Sequence, residues 1–442
     1  MMQSGFIVLI YFSMAEKAKL LYPLNLQFSR KILMTDKNRD EIYQLIENYV
    51  KTQKKTFVPV KDRITYSEPA YGHEEIVAAV DSLFNGWLAE GPKILEFEEK
   101  FAKYIGVKDC VMFNSGSSAL LIAFALLRDK TIDNPLTEGD EIITSAVLFP
   151  TALSAITLNG LTPVLTDVEV ETLNINADLI ESVITPRTRA ILVSHNLGNP
   201  CNMDKIMAIA RKHDLYVVED CCDSHGAEYG GKKLGSFGDL GCFSFHAGHT
   251  LATGEGGAIT FNNLSYRKKL LSFKACGRDE ENGKMQEYTR LAYKLRMIDL
   301  QAAMGIEQLK KSDMIVNRRV ENFNHLCMAL EKYKKHLMFV ESYPKAKPVW
   351  FSTPFTVRED APFSKDEIVE WLESQNIQTR PILGSNIMRQ PAVQGMDIKT
   401  TSLKNSDAVH ERSFYVGCHP NLTAEMMQHI VNSFEKFLQK YS

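Results

Sequence analysis

Two histidines three residues apart lie in the stretch SFHAGHTLATGEGGAI, which runs from Ser244 to Ile259. The unperturbed pKa of imidazole is close to 6.5, so His249 could move a proton near neutral pH. The residue type is equally compatible with a packed structural histidine, and the sequence alone does not separate the two. A metal site is disfavoured, because Glu255 is the one further ligand at suitable spacing to His246 and His249 and glycines surround it. We therefore predict no metal.

Two other segments place ligand-binding groups after apolar runs. In NSGSS, residues 114–118, small side chains let a ligand approach the backbone, and N–H groups at a helix start can hold a phosphate. Gly116 and Ser117 would form this loop, and Ser244 could donate to the same phosphate, although a simple tight turn capped by serine is the alternative. In VVEDCCDSHGA, Asp220 closes an apolar strand, where an unpaired buried carboxylate would be costly. A protonated ring nitrogen would be a suitable partner, and an N-cap or an ordinary salt bridge remains open.

The elements that must position these groups alternate between helix and strand from about residue 70. Short runs rich in Val, Ile and Phe, such as EIITSA, TPVLTDV, RAILVSH and LYVVED, are separated by helical stretches such as NMDKIMAIARKHD. This alternation predicts an α/β core with a mostly parallel sheet, in which ligands bind beyond the carboxyl ends of the strands. From roughly residue 315 the pattern changes to that of a smaller α+β domain.

Composition excludes several other functions. The 51 basic and 54 acidic residues give no charge excess that would favour nucleic acid or an anionic membrane as a partner. The eight cysteines include no CxxC pair, which favours a reducing, cytoplasmic location. FIVLIYF near the start is too short to span a membrane, which takes about 20 residues. We expect residues 1–33 to be a non-native or disordered extension upstream of Met34, and residues 34–63 to form a helical N-terminal arm.

The three segments together resemble the DegT/DnrJ/EryC1/StrS family, which are pyridoxal phosphate enzymes of fold type I, the aspartate aminotransferase-like fold. The resemblance extends from about residue 64 to 442 and includes NSGSSALL, VVEDCCDSHGAEYGGKKLGSFGDLGCFSF, GEGGAI and LRMIDLQAAMGIEQLKK. It implies a large cofactor-binding α/β domain at 64–314 and a small C-terminal α+β domain at 315–442. It also implies a homodimer.

By the same resemblance, individual positions acquire expected roles. Gly116, Ser117 and Ser244 match the phosphate cradle. Phe149 matches an aromatic residue that stacks on the pyridine ring, and Asp220 matches the aspartate that pairs with the ring nitrogen.

One departure from the family pattern is informative. His249 stands where the aminotransferases of the family carry their Schiff-base lysine, and Asp223 replaces a usual glutamine. Both features resemble the nucleotide-sugar 3-dehydratases, which use pyridoxamine phosphate without a covalent tether. The resemblance therefore implies dehydration of a nucleotide-linked 4-keto-6-deoxy sugar, with His249 as acid and base and with glutamate as amino donor. An aminotransferase with a relocated lysine, or a catalytically silent paralogue, remains open.

Two further positions refine this expectation. Cys276 is followed by no other cysteine before Leu295, and one thiol cannot hold an iron–sulfur cluster that usually needs four ligands. The cluster-free, GDP-sugar-like route is therefore favoured over the cluster-dependent, CDP-sugar type. Lys294 replaces an asparagine that in the family reaches the phosphate from the neighbouring subunit. It could bind the same phosphate, be a solvated surface residue, or supply the missing amine.

Overall fold

The structure is a computed structural model that describes residues 36–53, 56–278, 287–396 and 398–441. The predicted extension at 1–33 lies outside the described residues, and so do residues 279–286. The helices are α1 (Asp36–Thr52), α2 (His73–Phe84), α3 (Pro92–Ile105), α4 (Gly116–Leu127), α5 (Pro150–Thr157), α6 (Ala177–Ile180), α7 (Met203–His213), α8 (Tyr266–Lys274), α9 (Asp299–Lys310), α10 (Ser312–Leu330), α11 (Lys365–Ser374), α12 (Lys404–Arg412) and α13 (Ala424–Leu438).

The strands are short and most of them are buried. They are β1 (Asp109–Phe113), β2 (Glu141–Ser145), β3 (Thr162–Thr166), β4 (Thr188–Ser194), β5 (Tyr216–Asp220), β6 (Glu228–Tyr229), β7 (Lys232–Lys233), β8 (Leu240–Ser244), β9 (Gly257–Phe261), β10 (Leu337–Phe339), β11 (Ala346–Lys347), β12 (Ser352–Val357), β13 (Thr379–Arg380), β14 (Lys399–Thr400) and β15 (Ser413–Gly417).

Among the described residues, eight strands form the large sheet, in the order β1, β9, β8, β5, β4, β2, β3, β14. β9 is antiparallel to both of its neighbours, and the pairs from β8 to β14 are parallel. The predicted α/β class with a large, mostly parallel sheet is confirmed. β14 was not predicted, because its two residues, Lys399 and Thr400, are exposed and carry no apolar pattern.

Both faces of this sheet are covered, which explains the continuous apolar runs of its strands. Successive residues of β5 point to opposite sides: Val217 packs in one core with residues of α3, α7 and α9, and Val218 in the other with residues of α4, α5 and α8. The helix α4 is buried along most of its length, because its sequence GSSALLIAFALL is apolar on every face. The first turn of α4 is thereby held rigidly at the carboxyl end of β1.

The C-terminal part has a sheet and a core of its own. β10, β12, β15 and β13 form an antiparallel sheet in that order, and α10, α11 and α13 pack against it in a separate apolar cluster. The predicted boundaries at 64 and 314 remain predictions, although two structural details bear on them. Ile64 is buried in this C-terminal cluster, and α10 runs without a break across residues 314 and 315.

A segment after β13 connects the two sheets. Gly384 N–H donates to Leu148 at 3.1 Å and Ile387 N–H donates to Ala146 at 2.9 Å. These bonds attach the segment to the chain just before Phe149, so that residues of the small sheet face the carboxyl ends of the large one. No helix in the described part of the chain is long and apolar enough to cross a membrane.

Candidate active site

A cavity of about 510 Å³ lies at the carboxyl ends of β1, β4, β5 and β8. Sequence reasoning predicted seven of its lining residues, which the structure brings together: Gly116, Ser117, Phe149, Asp220, Asp223, Ser244 and His249. This is the position at which parallel sheets bind ligands.

One end of the cavity has the geometry of a phosphate site. Ser115 caps α4 by accepting from Ser118 N–H at 3.1 Å, which leaves the N–H groups of Gly116 and Ser117 outside the helix hydrogen bonds. A Cβ at Gly116 would lie 2.6 Å from the Ser244 Cβ, so only glycine lets the helix start and the serine approach this closely. Helix N–H groups, the helix dipole and the Ser244 hydroxyl can therefore converge on one anion.

Asp220 lies on the floor of the cavity at the end of β5. It is 9% exposed. Its Oδ1 accepts from Cys222 N–H at 3.1 Å, and its Oδ2 lies 3.4 Å from the Ser194 hydroxyl. Burial raises the pKa of this carboxyl, and the nearby Asp223 acts in the same direction. A cationic N–H donor would compensate this cost, as a protonated pyridine nitrogen does.

Asn196 adds a buried acceptor. Its Nδ2 donates to Val147 O at 2.9 Å and to Leu173 O at 2.7 Å, which uses both amide protons and fixes the orientation of the side chain. Oδ1 is buried without a partner among the described residues, and the residue lines the cavity. A ligand hydroxyl could satisfy this oxygen. Together, the Asn196 oxygen and the Asp220 carboxylate as acceptors and the N–H groups of the loop at 115–118 as donors fit pyridoxal phosphate or pyridoxamine phosphate.

His249 and Asp223 form a pair that also lines the cavity. Nδ1 of His249 lies 3.3 Å from Oδ1 of Asp223, with side chains 18% and 12% exposed. The two atoms are not aligned as a hydrogen bond, and His249 Nδ1 has no other partner among the described residues. The carboxylate favours a proton on Nδ1, which leaves the lone pair on Nε2 available as a base. The turn is held by the Ser67 hydroxyl, which donates to Gly248 O.

The cavity holds no lysine among the described residues that line it. Cys222 is the one thiol on the wall in that set, and burial raises its pKa well above the usual value, so it stays protonated. Imidazole is therefore the group on this wall that is suited to proton transfer near neutral pH.

The model of the DegT/DnrJ/EryC1/StrS aminotransferase family matches residues 69–435. The chain belongs to this family. Its members depend on pyridoxal phosphate, so the predictions of the family, of the cofactor and of an enzyme are confirmed.

Relatives of this family member include both dehydratases and aminotransferases. The dTDP-4-dehydro-2,6-dideoxy-D-glucose 3-dehydratase of Saccharopolyspora spinosa is 35% identical over 430 residues, covering 91% of this chain and 93% of that protein. A structure of GDP-4-keto-6-deoxymannose-3-dehydratase with a trapped PLP-glutamate geminal diamine is 26% identical, with a TM-score of 0.79 over 84% of this chain and 99% of that one. The aminotransferase from Psychrobacter cryohalolentis is also 26% identical, with a TM-score of 0.78 over 84% and 98%. The predicted fold type is confirmed. The similar proteins carry out two activities, 3-dehydration and amino transfer.

Lys294 lies apart from the other predicted site residues of this family member. It is exposed and is not among the described lining residues of the cavity. Its main chain bridges to Ala275, and its neighbours Leu291 and Tyr293 are 100% and 42% exposed. In a single chain Lys294 therefore does not reach the cradle formed by Gly116 and Ser244.

Sequence reasoning missed the wall that the small sheet contributes. The rings of Tyr66, Phe351 and Tyr415 lie 5.9–6.3 Å apart, and the guanidinium of Arg380 lies over Tyr66 at 5.0 Å. Phe351 is also 5.5 Å from the ring of His249. These residues come from segments far apart in the chain. An arginine directly before a proline in TRPIL was the available signal.

A second histidine–carboxylate pair is buried beside the cavity, and its histidine, His195, is among the residues that line the cavity. His195, Glu219 and Cys221 are buried, with potential ligand atoms within 4.8 Å of one another. Glu219 accepts from the N–H groups of Gly235, Phe237 and Gly238 at 2.8–2.9 Å, and Nδ1 of His195 accepts from Cys201 N–H at 3.1 Å. The ligand atoms of the histidine and the carboxylate are thus committed to hydrogen bonds, which explains the cluster as a structural one.

Proposed function

We propose that this chain is a pyridoxamine phosphate-dependent 3-dehydratase that acts on a nucleotide-linked 4-keto-6-deoxy sugar. The observation that carries the proposal is a cavity wall with His249 beside Asp223 and without a lysine among its described lining residues. An aminotransferase of this family needs an amine on that wall. A base without a covalent tether suits the amine form of the cofactor.

The bound cofactor supplies an amine that condenses with the C4 ketone and a protonated ring that acts as an electron sink. Asp220 keeps the ring nitrogen protonated, because its buried carboxylate needs a cationic partner. The N–H groups of Gly116 and Ser117 and the hydroxyl of Ser244 would hold the phosphate, and Phe149 would cover one face of the ring. His249, on the same cavity wall, would then act as the base.

His249 performs the proton transfers. Nε2 would remove a proton from C4′, the cofactor carbon that carries the amine, and the resulting imidazolium would donate a proton to the C3 hydroxyl as that group leaves as water. Asp223 stabilises the imidazolium between the two steps by its charge. Phe351 packs on the imidazole ring of His249 and restricts its rotation. The same imidazole serves as the base at C4′ and as the acid at the C3 hydroxyl.

The net reaction balances without an iron–sulfur cluster. The sugar loses its C3 hydroxyl and gains a hydrogen there, the cofactor amine is released as ammonia, and glutamate restores the amine while leaving as 2-oxoglutarate. Two electrons thus pass from glutamate to the sugar. Cys276 is exposed and one thiol cannot hold a cluster, so we infer the cluster-free route.

We further propose that the enzyme is a homodimer in the cytoplasm. Lys294 from a second copy would bind the cofactor phosphate with its full charge, and the exposed Leu291 and Tyr293 beside it are suited to an interface. The eight cysteines, all within the described residues, are unpaired thiols, as is usual in a reducing compartment.

The decisive experiment is a single turnover with the protein preloaded with pyridoxamine phosphate. GDP-4-keto-6-deoxymannose and dTDP-4-keto-2,6-dideoxyglucose are tested in parallel, and product mass and ammonia are measured. A 3-dehydratase gives a sugar lighter by one oxygen atom together with one equivalent of ammonia. An amino sugar without ammonia contradicts the proposal and assigns an aminotransferase. Bound cofactor without turnover of either sugar also contradicts it.

A further inference from the structure

Tyr415 is a buried residue of the cavity wall whose hydroxyl is not used within the fold. The residue is 6% exposed and lines the cavity. Its hydroxyl makes no hydrogen bond within the described part of the chain and is not among the enclosed polar atoms there, so it is open to the cavity. A hydroxyl on a buried side chain is costly to leave without a partner, and an acceptor on a ligand would satisfy it. The wall therefore presents a hydrogen-bond donor to the molecule that the cavity binds.

The small sheet fixes the position of this donor. β15 lies between β12 and β13, and Tyr415 pairs with Pro354 on one side and with Arg380 on the other. Its ring lies 6.1 Å from that of Phe351 and 5.9 Å from that of Tyr66. The hydroxyl is thus held in place before a ligand arrives, which suits it to the recognition of a single oxygen atom.

The hydroxyl of Tyr415 is a neutral donor. Burial raises its pKa, Asp223 and Tyr66 act in the same direction, and Arg380 opposes them only in part. The phenol therefore keeps its proton at neutral pH and does not act as a base there. A donor without charge is suited to a neutral acceptor such as a carbonyl oxygen, whereas phosphates and carboxylates favour charged donors.

Tyr415 lies on the part of the wall that also holds His249. The ring of Phe351 is a neighbour of both, 5.5 Å from His249 and 6.1 Å from Tyr415. Asp223, which pairs with His249, is also close enough for its charge to act on the Tyr415 hydroxyl. The oxygen that Tyr415 meets therefore belongs to the reacting carbons of the substrate. In a 4-keto sugar these oxygens are the C3 hydroxyl and the C4 ketone.

We propose that the Tyr415 hydroxyl donates a hydrogen bond to the C4 ketone oxygen of the sugar. This inference rests on the proposed function. The C3 hydroxyl is the group to which His249 donates, so a second donor on this wall is suited to the ketone. When an amine adds to the ketone, its nitrogen bonds to C4 and one electron pair of the C=O bond moves onto the oxygen, where a fixed donor stabilises the developing charge. The oxygen then leaves as water with two hydrogens from the amine, so Tyr415 keeps its proton.

Binding is tested by calorimetry with protein loaded with pyridoxal phosphate, which has no amine to react with the ketone. GDP-4-keto-6-deoxymannose and dTDP-4-keto-2,6-dideoxyglucose are titrated, and the one that binds the wild type more tightly is compared with its free nucleoside diphosphate. Tyr415→Phe is expected to weaken the Kd of the keto sugar about 5- to 20-fold, as for the loss of one buried hydrogen bond, and to leave the Kd of the nucleoside diphosphate unchanged. Tyr333→Phe, at a buried tyrosine of the same domain outside the cavity, is the matched control and should change neither Kd. An unchanged Kd of the keto sugar in Tyr415→Phe overturns the proposal.

The 3-deoxy product separates the two oxygens. It keeps the C4 ketone and lacks the C3 oxygen, so Tyr415→Phe should weaken its Kd by the same factor as that of the substrate. A loss that appears only with the substrate assigns Tyr415 to the C3 hydroxyl and overturns the proposal. The urea midpoint of Tyr415→Phe should not fall below that of the wild type, because the hydroxyl is not bonded within the fold. A lower midpoint would show that the hydroxyl serves the fold and would also overturn the proposal.

These measurements fail in different ways from the proposed function. If neither keto sugar binds the wild type, the proposed function and the contact with Tyr415 both fail. If Tyr415→Phe weakens the Kd of a keto sugar but the wild-type amine form releases no ammonia, the proposed function fails and the hydrogen bond from Tyr415 stands. If the wild type releases ammonia and Tyr415→Phe binds the keto sugar with an unchanged Kd, only the contact with Tyr415 fails.

Discussion

Two histidine–carboxylate pairs contribute to the lining of the same cavity and differ in how their hydrogen-bonding capacity is used. His195 and Glu219 are 3.3 Å apart, and so are His249 and Asp223. The first pair has both side chains at 0% exposure, and three backbone N–H groups bind the carboxylate. The second pair is partly open, and Nδ1 of its histidine lacks an aligned partner among the described residues.

The two pairs have the same distance between histidine and carboxylate, but one is suited to stabilising the fold and the other to chemistry. A buried pair with every donor and acceptor occupied stabilises the fold and cannot exchange protons with a ligand. A pair with an unused ring nitrogen beside a cavity loses little stability when altered and keeps its capacity for proton transfer. The two pairs should therefore respond oppositely to mutation.

The largest expected effect is on activity, from His249→Asn. Removal of the acid and base should lower dehydration at least about 1,000-fold, while the free energy of unfolding changes by less than about 1 kcal/mol. Product formation by mass spectrometry and chemical denaturation measure the two quantities, and cofactor absorbance checks that binding is retained. Activity within tenfold of wild type would remove the distinction between the pairs.

The next effect is on stability, from Glu219→Gln. Glutamine carries an NH2 group in place of one carboxylate oxygen. A backbone N–H that now donates to Glu219 is therefore left buried without an acceptor. The expected loss is about 3 kcal/mol of unfolding free energy, measured by urea denaturation. Asp223→Asn is the matched control in the open pair and should cost less than about 1 kcal/mol. Equal losses for both variants would show that the two pairs are equivalent.

A smaller effect on rate is expected from Asp223→Asn. The variant keeps the shape of the side chain but loses the charge that stabilises the His249 imidazolium, so kcat should fall about 10- to 100-fold. Steady-state kinetics with the sugar substrate measure kcat and KM separately. An unchanged kcat with a raised KM would assign Asp223 to binding.

The smallest expected effect is on the pH dependence of stability and comes from a third histidine, His225, which is buried like His195. His225 stacks on Phe101 and Tyr104 with ring centres 5.8 and 4.9 Å away, and burial lowers its pKa to about 3. The unfolded chain binds a proton near pH 6.5 and the folded chain does not, so stability is lost as the pH falls from about 6.5 towards 3. Between pH 7 and 5.5 wild type should lose about 1 kcal/mol more than His225→Phe, measured by denaturation at each pH. Parallel losses would show that His225 does not contribute.

Much of this arrangement could be predicted from the sequence, for identifiable physical reasons. The central strands of the large sheet are apolar on both faces. The run of apolar residues therefore predicted β5 and placed Asp220 at its end. The loop before α4 followed from its small residues. Assigning His249 and Phe149 needed the resemblance to the family, because the residue types alone fit structural roles equally well.

The remaining parts depend on long-range packing. Arg380 and Tyr66 come together because segments more than 300 residues apart are hydrogen-bonded, with Gln378 N–H donating to Ile64 O and Tyr66 N–H donating to the Gln378 side chain. No local pattern indicates this contact. The hydrogen bonds that occupy the Glu219 carboxylate come from backbone N–H groups at 235–238. The residue types of His195 and Glu219 alone suggested nothing beyond an ordinary strand end. The contribution of Lys294 depends on a second copy of the chain and stays a prediction.

The most direct test of the central claim is borohydride reduction of the pyridoxal phosphate-loaded protein, followed by peptide mass spectrometry. His249→Lys is the positive control, since it restores an amine at the position of the tether and should yield a pyridoxyl-lysine peptide. The wild-type chain should bind the cofactor before reduction and yield no pyridoxyl-lysine peptide after it. A pyridoxyl group on any wild-type lysine, Lys294 included, would contradict the account.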